Sequence, residues 1–363
     1  MDHDPGSCFT QYGLPPNTVP NFITTGADGN VWFTAANKIG RMLTKAPHTV
    51  TIFPVPLAQS ILVGITPGPD GNIWFTDYSG HIGRILTRDP NTISIFPTPG
   101  TGEQQIVTGP DGALWFAEYD TGKIGRILPQ APYTVTEYPV ATSNIGLTGI
   151  TVGQDGNIWV TEQTGNHIDR ILTRDPHTIT RYALPPNTTN PNAFQQSTNP
   201  YAITTGPDGN IWFGMNAGVD GKEIGRFSPF APTQTLTEFS VPTAPDQPGS
   251  SLIVGPDHSL WYVDNGANYR QIPSYANVQK ISLFGDSSHL GQPTTTEYAL
   301  YDVQSRFRGI TAAGNSVWFT EHDTNTIGRI NVACADHEDL LNSLPGKRLG
   351  NLNNQGCNDP DNS

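Results

Sequence analysis

All seven tryptophans of this 363-residue chain occupy the same place in one repeating phrase: Trp32, Trp74, Trp115, Trp159, Trp212, Trp261 and Trp318. Each follows, by a few residues, a turn written mostly G-x-D-G-N. In the second copy the phrase runs from Gly64 to Asp77, with Gly68-Pro69-Asp70-Gly71-Asn72-Ile73-Trp74-Phe75-Thr76 at its centre and Ile82-Gly83-Arg84-Ile85 after it. Successive tryptophans are 41 to 57 residues apart. A β-rich period of this size is the mark of a β-propeller with one blade per repeat. The expected fold is therefore all-β, a seven-bladed propeller over residues 1–334, followed by a tail over 335–363 that starts as a short helix.

Each repeat reads as four strands. A short apolar strand A (Phe22-Ile23-Thr24, Gly149-Ile150-Thr151) precedes the Gly-rich turn, where Asp-Gly supplies the backbone angles of a tight hairpin. Strand B carries the Trp, strand C reads I-G-R-I, and strand D alternates β-branched and aromatic residues, as in Val135-Thr136-Glu137-Tyr138. Of the residues repeated in nearly every blade, the Trp and the Ile of I-G-R are expected to form the core between blades, and the Arg to pair with a carboxylate or the backbone. Blade seven has no strand D of its own in the tail. Cys8-Phe9-Thr10-Gln11-Tyr12-Gly13-Leu14-Pro15-Pro16-Asn17 matches the strand D phrase Ile179 to Asn187, so the N-terminus is expected to close the ring and remove the open sheet edges.

Among the cysteines Cys8, Cys334 and Cys357, that register brings Cys8 near Cys334. A Cys334–Cys357 bridge and three free thiols are the alternatives. The formal charge of −13 argues against a nucleic-acid partner. No apolar run is long enough to span a membrane. Sparse lysine and abundant Asn, Thr and Pro point to a secreted chain whose leader has been removed.

The phrase G-P-D-G-N-I-W-F-T-[DE] with I-G-R-I, repeated from residue 8 to 332, resembles the streptogramin (virginiamycin B) lyase family. The resemblance implies a ring-opening elimination at the top of the last blade, with a His just before the Gly-Ile of strand A as base and carboxylates holding Mg²⁺. Here Arg308 stands at the base position and Arg306 at the first carboxylate position. Glu321 or its neighbour His322 is what remains of the second. An arginine is always protonated and is no general base near neutral pH. The Asn/Thr/Pro-rich dialect and the D-P-x-T inserts (Asp89-Pro90-Asn91-Thr92, Asp175-Pro176-His177-Thr178) also resemble fungal hetero-Diels–Alderases, which join a tropolone-derived o-quinone methide to a humulene-type sesquiterpene. That resemblance implies a pericyclic reaction without a cofactor; Mg²⁺ belongs to the lyase alternative.

Segments entering strand A and the turns between strands B and C share one face and vary from blade to blade, which is where binding surfaces of repeat proteins lie. They supply an expected catalytic set of Arg308, His322, Glu321 and Tyr119. Phe22, Leu62, Gln105, Leu147, Tyr201, Met215 and Phe307 are the expected lining of a pocket for hydrophobic small molecules. The long connection Leu184 to Asn199 reads as a lid, and Asn268 to Tyr275 as an insertion in blade six. A non-catalytic binding propeller using the same face is the remaining alternative.

Overall fold

The computed structural model describes residues 8–140, 145–185, 198–215, 223–240, 248–264, 277–283, 294–299 and 305–334. Their strands form seven four-stranded sheets, each one blade. The inner strands are Pro20–Thr25, Leu62–Pro67, Glu103–Thr108, Leu147–Val152, Pro200–Thr205, Pro248–Val254 and Phe307–Ala313. Each packs on the next, and Phe307–Ala313 returns to Pro20–Thr25, so the ring closes. The tail, Cys357, most of the expected lid and the blade-six insertion lie outside the described residues. Among the described residues no helix is long and apolar enough to cross a membrane.

The repeated residues explain the blade. The turn aspartate accepts a hydrogen bond from the indole Nε1 of its own Trp, at 3.0 Å for Asp111–Trp115 and 2.9 Å for Asp70–Trp74. The arginine of I-G-R bonds the same aspartate (Arg126 Nε to Asp111, 2.9 Å) and lies over the indole, 5.5 Å from the Trp115 centroid. A strand D aromatic stacks on that indole, Tyr138 at 5.7 Å. The glycine of I-G-R is required by a neighbouring ring: a Cβ on Gly83 would lie 2.0 Å from the Phe75 ring. Blade four departs from this. Val160 replaces the Phe, Asp169 replaces the glycine, and Arg181 from strand D reaches in to pair with Glu162 at 2.7 Å. Blade seven lacks the turn aspartate, and the Trp318 indole nitrogen has no hydrogen-bond partner among the described residues.

The N-terminal strand Phe9–Gly13 pairs antiparallel with Thr326–Asn331, Phe9 opposite Ile330, and is the outer strand of blade seven. Cys8 and Cys334 are joined by a disulfide with their Cα atoms 5.5 Å apart. The closure thus links the first and last described residues covalently.

Candidate active site at the axial mouth

Every inner strand carries an irregularity at its start. In blade one Pro20 pairs with Ala35 and Ile23 with Phe33, so three steps on one strand face two on the other. The same break occurs in blades two, three, four, five and seven, and in blade six four steps, Pro248 to Leu252, face two. Such bulges re-aim side chains, and here they deliver the blade-specific residues Asn21, Val63, Gln104, Thr148, Tyr201 and Arg308 at one end of the axis. The threonine of W-F-T clasps the bulge. Thr76 Oγ1 takes the Gly64 N–H at 2.7 Å and donates to the Gln104 carbonyl of the next blade at 2.6 Å. Thr161 does the same for Gly149 (2.9 Å) and the Tyr201 carbonyl (2.8 Å). Thr320 joins Gly309 to the Asn21 carbonyl, across the seam of the ring.

The turns between strands B and C fold onto the same face: Tyr119 N–H bonds the Gly102 carbonyl at 2.8 Å and His322 N–H the Arg306 carbonyl at 2.9 Å. Below them the axis holds a cavity of about 200 Å³, whose wall includes Gln105, Thr24, Thr151, Thr204, Ser251 and Thr311.

Four expected residues converge on this mouth. Arg308, partly exposed, is close enough for its charge to act on both His322 and Tyr201, and Tyr119 acts on Tyr201 in turn. His322 is half-buried, with Nδ1 3.0 Å from the Pro20 carbonyl oxygen. Burial lowers its pKa, the Arg308 and Arg306 charges add to this, and the Pro20 carbonyl opposes it. Burial raises the Tyr201 pKa, against the Arg308 charge. Arg306 is turned aside: its guanidinium grips Asp323 (Nη2–Oδ1 2.7 Å, Nε–Oδ2 2.9 Å), and Asp323 accepts the Arg306 N–H as well. That latch fixes the turn that carries His322.

Other expected residues are placed elsewhere. Phe22, Leu62, Leu147, Met215 and Phe307 are buried in the clusters between blades, not on the axis. They fall on the face of the strand end that meets the neighbouring blade; Phe307, for instance, shares a buried cluster with Trp261 and Val263 of blade six. Glu321 is also buried and faces outward. It accepts hydrogen bonds from Gln11 of the closing strand (2.6 Å), Thr326 (2.7 Å) and Thr324 (3.1 Å). Burial raises its pKa and these bonds oppose the rise. The corresponding carboxylates Asp77 and Glu162 likewise hold their own blades, Asp77 through the Ile61 N–H at 2.8 Å and Glu162 through Arg181. The recurrence of an acid at this place was the available signal for a structural role.

The residues at the expected Mg²⁺ positions do not fit that ion. It requires oxygen ligands, whereas the first carboxylate position holds Arg306, with the Arg308 cation two residues on, and Glu321 at the second is turned outward, its Oε2 held by Gln11, Thr324 and Thr326 and its buried Oε1 without a hydrogen-bond partner among the described residues. Among the described residues no group of three His, Cys, Asp or Glu side chains is arranged to hold a metal.

The virginiamycin B lyase family model matches residues 3–199 and 188–335. The chain belongs to the virginiamycin B lyase family. A streptogramin B lyase structure superposes with a TM-score of 0.72 at 27% identity, covering 88% of this chain and 96% of that one. A catalytically inactive histidine-to-alanine variant of virginiamycin B lyase from Staphylococcus aureus, with quinupristin, gives 0.72 at 26% identity over 88% and 98%. A chain of the mitotic checkpoint complex, 13% identical with a TM-score of 0.67 over 89% and 91%, shares the fold alone. A comparison with curated proteins gave no match. Within this family, then, the chain has the propeller fold and carries Arg308 where the resemblance places the base.

Proposed function

We propose that this protein is an enzyme of secondary metabolism that binds hydrophobic small molecules at the axial mouth and joins two of them by an intermolecular hetero-Diels–Alder cycloaddition, an o-quinone methide adding to a humulene-type terpene. The observation that carries the reading is the position of Arg308, a permanent cation beside Tyr201 and His322 at the head of the axial cavity. A cycloaddition moves no proton and asks for no base. It gains from holding both partners at near-attack distance, an effect worth about 7–11 kcal/mol. It gains also from donors aimed at the carbonyl oxygen on which negative charge grows. Arg308 and Tyr201 are such donors. The Cys8–Cys334 disulfide supports a secretory route, where such bonds persist.

A second reading, elimination of the streptogramin type, has one observation in its favour. With Nδ1 of His322 tied to a carbonyl, Nε2 holds the lone pair and is a candidate base. Mass spectrometry separates the two. Incubation with an o-quinone methide precursor and a humulene-type terpene should give an adduct of summed mass, with or without EDTA. A streptogramin opened to an isomer of equal mass, with loss of activity in EDTA, would support elimination. Reactants that all return unchanged would leave a binding propeller.

A further inference from the structure

Hydrogen-bonding capacity is unspent at two places around the axis. Gln105 is the second bulge residue of blade three and lies in the wall of the axial cavity. At the matching place blades one, two, four, five and seven have Phe22, Gly64, Gly149, Ala202 and Gly309, whose side chains offer no hydrogen bond. The Gln105 carboxamide carries two donors and an acceptor, and it has no hydrogen-bond partner among the described residues. Tyr201 is the first bulge residue of blade five, adjacent to Ala202 in the wall of the same cavity. Its hydroxyl has no hydrogen-bond partner among the described residues either.

Both side chains hang from fixed backbone. The Gln104 carbonyl is clasped by Thr76, and the missing Cβ of Gly64 lets the Gln104 oxygen and the Gln105 Cα seat 2.5 and 2.9 Å from where that Cβ would stand. The Tyr201 carbonyl is clasped by Thr161, and Gly149 allows the same close approach, with its Cβ position 2.2 Å from the Tyr201 oxygen. A binding group set on clasped, rigid elements is one that is held ready for a ligand. A hydrocarbon in this cavity would leave the Gln105 carboxamide unsatisfied, at a cost to its own binding.

We propose that Gln105 and Tyr201 are the specificity-determining pair of the axial site, donating hydrogen bonds to an enol or phenol-type oxygen of the conjugated reactant that enters the cavity beside Arg308. The proposal rests on the small-molecule reading above and names the partner that occupies the cavity, the oxygen-bearing one, leaving the hydrocarbon for the open face. Burial raises the Tyr201 pKa, so its hydroxyl remains a donor through neutral and mildly alkaline pH.

Isothermal titration of the full chain with tropolone, a planar acidic enol, and separately with α-humulene tests this. Wild type should bind tropolone. Tyr201→Phe and Gln105→Leu should each weaken that binding about fivefold, and the double variant about twenty-fivefold. Melting temperatures and humulene binding should stay unchanged. Tropolone affinity within twofold of wild type in both variants overturns the pair. If Arg308→Gln weakens tropolone binding while the pair does not, the pair falls and the role of Arg308 stands. Failure of wild type to bind tropolone at millimolar concentration overturns the pair and the oxygen-bearing reactant of the proposed function together.

Discussion

The Nδ1 atom of His322, in blade seven, lies 3.0 Å from the backbone carbonyl oxygen of Pro20, in blade one. A carbonyl only accepts, so Nδ1 carries the proton and Nε2 is left with the lone pair. The contact crosses the seam that the N-terminal strand closes. The tautomer at the mouth is therefore set by the same joint that completes the ring.

The first prediction follows from that contact. Nitrogen-15 correlation spectra should show His322 as the Nδ1–H tautomer, titrating below the ordinary histidine value of 6.5. If Nε2 accepts from a reactant, activity holds through neutral pH and falls only on the acid side of that value, and His322→Gln removes the acid limb. A titration midpoint above 6.5 would contradict the burial of His322 and the Arg308 charge that adds to it.

The clasp threonines make a second. Thr161→Val keeps the shape and removes the hydroxyl that serves both Gly149 and Tyr201. It should cost about 1–3 kcal/mol, since it strands buried backbone groups. Denaturant unfolding measures this; a loss below the error of the method would mean that water replaces the clasp freely.

Ring closure gives the third. The Cys8→Ser, Cys334→Ser double variant opens a link between residues 326 positions apart. The chain-entropy model assigns about 6 kcal/mol to so long a loop, so the variant should unfold at much lower denaturant concentration than oxidised wild type. Unchanged midpoints would show that pairing of Phe9–Gly13 with Thr326–Asn331 suffices alone.

Blade four supplies a pH test. Burial and the adjacent Glu162 carboxylate push the Asp169 pKa from 3.8 up to about 9, although Arg181 opposes them. A group with a raised folded-state pKa favours the fold fully below its unfolded value, and that contribution is lost as pH rises through the folded one. Asp169→Asn should therefore raise the melting temperature relative to wild type at pH 8, and the difference should shrink toward pH 4. An equal difference at both pH values would mean that Asp169 stays ionised in its blade.

The repeated residues were readable because each does the same work in several blades. Trp115 meets the blade beside it, Arg126 pairs as its period implied, and Phe9 pairs where the match to Ile179-Thr180-Arg181 put it. The face that holds Arg308, His322 and Tyr119 was legible as well, because bulge segments and B–C turns alternate along the chain in a fixed order. Side-chain direction at the bulge was not. One extra residue reverses the alternation of a strand, so Phe307 and Leu62 turn into the core while Arg308 and Gln105 reach the axis. Glu321 enters the expected catalytic set because it stands at the second carboxylate position of the family pattern, but successive strand residues face opposite sides, and only the contacts with Gln11 and Thr326 reveal its side.

The central claim is that Arg308, and not a carboxylate, carries the chemistry at the axial mouth. The direct measurement is kcat/KM for cycloadduct formation in Arg308→Gln and Glu321→Gln, well below either melting temperature. The account predicts a loss of about 10²–10³-fold for Arg308→Gln, the usual effect of deleting a donor aimed at developing charge, and a rate near wild type for Glu321→Gln. Full activity in Arg308→Gln with an inactive Glu321→Gln would contradict it.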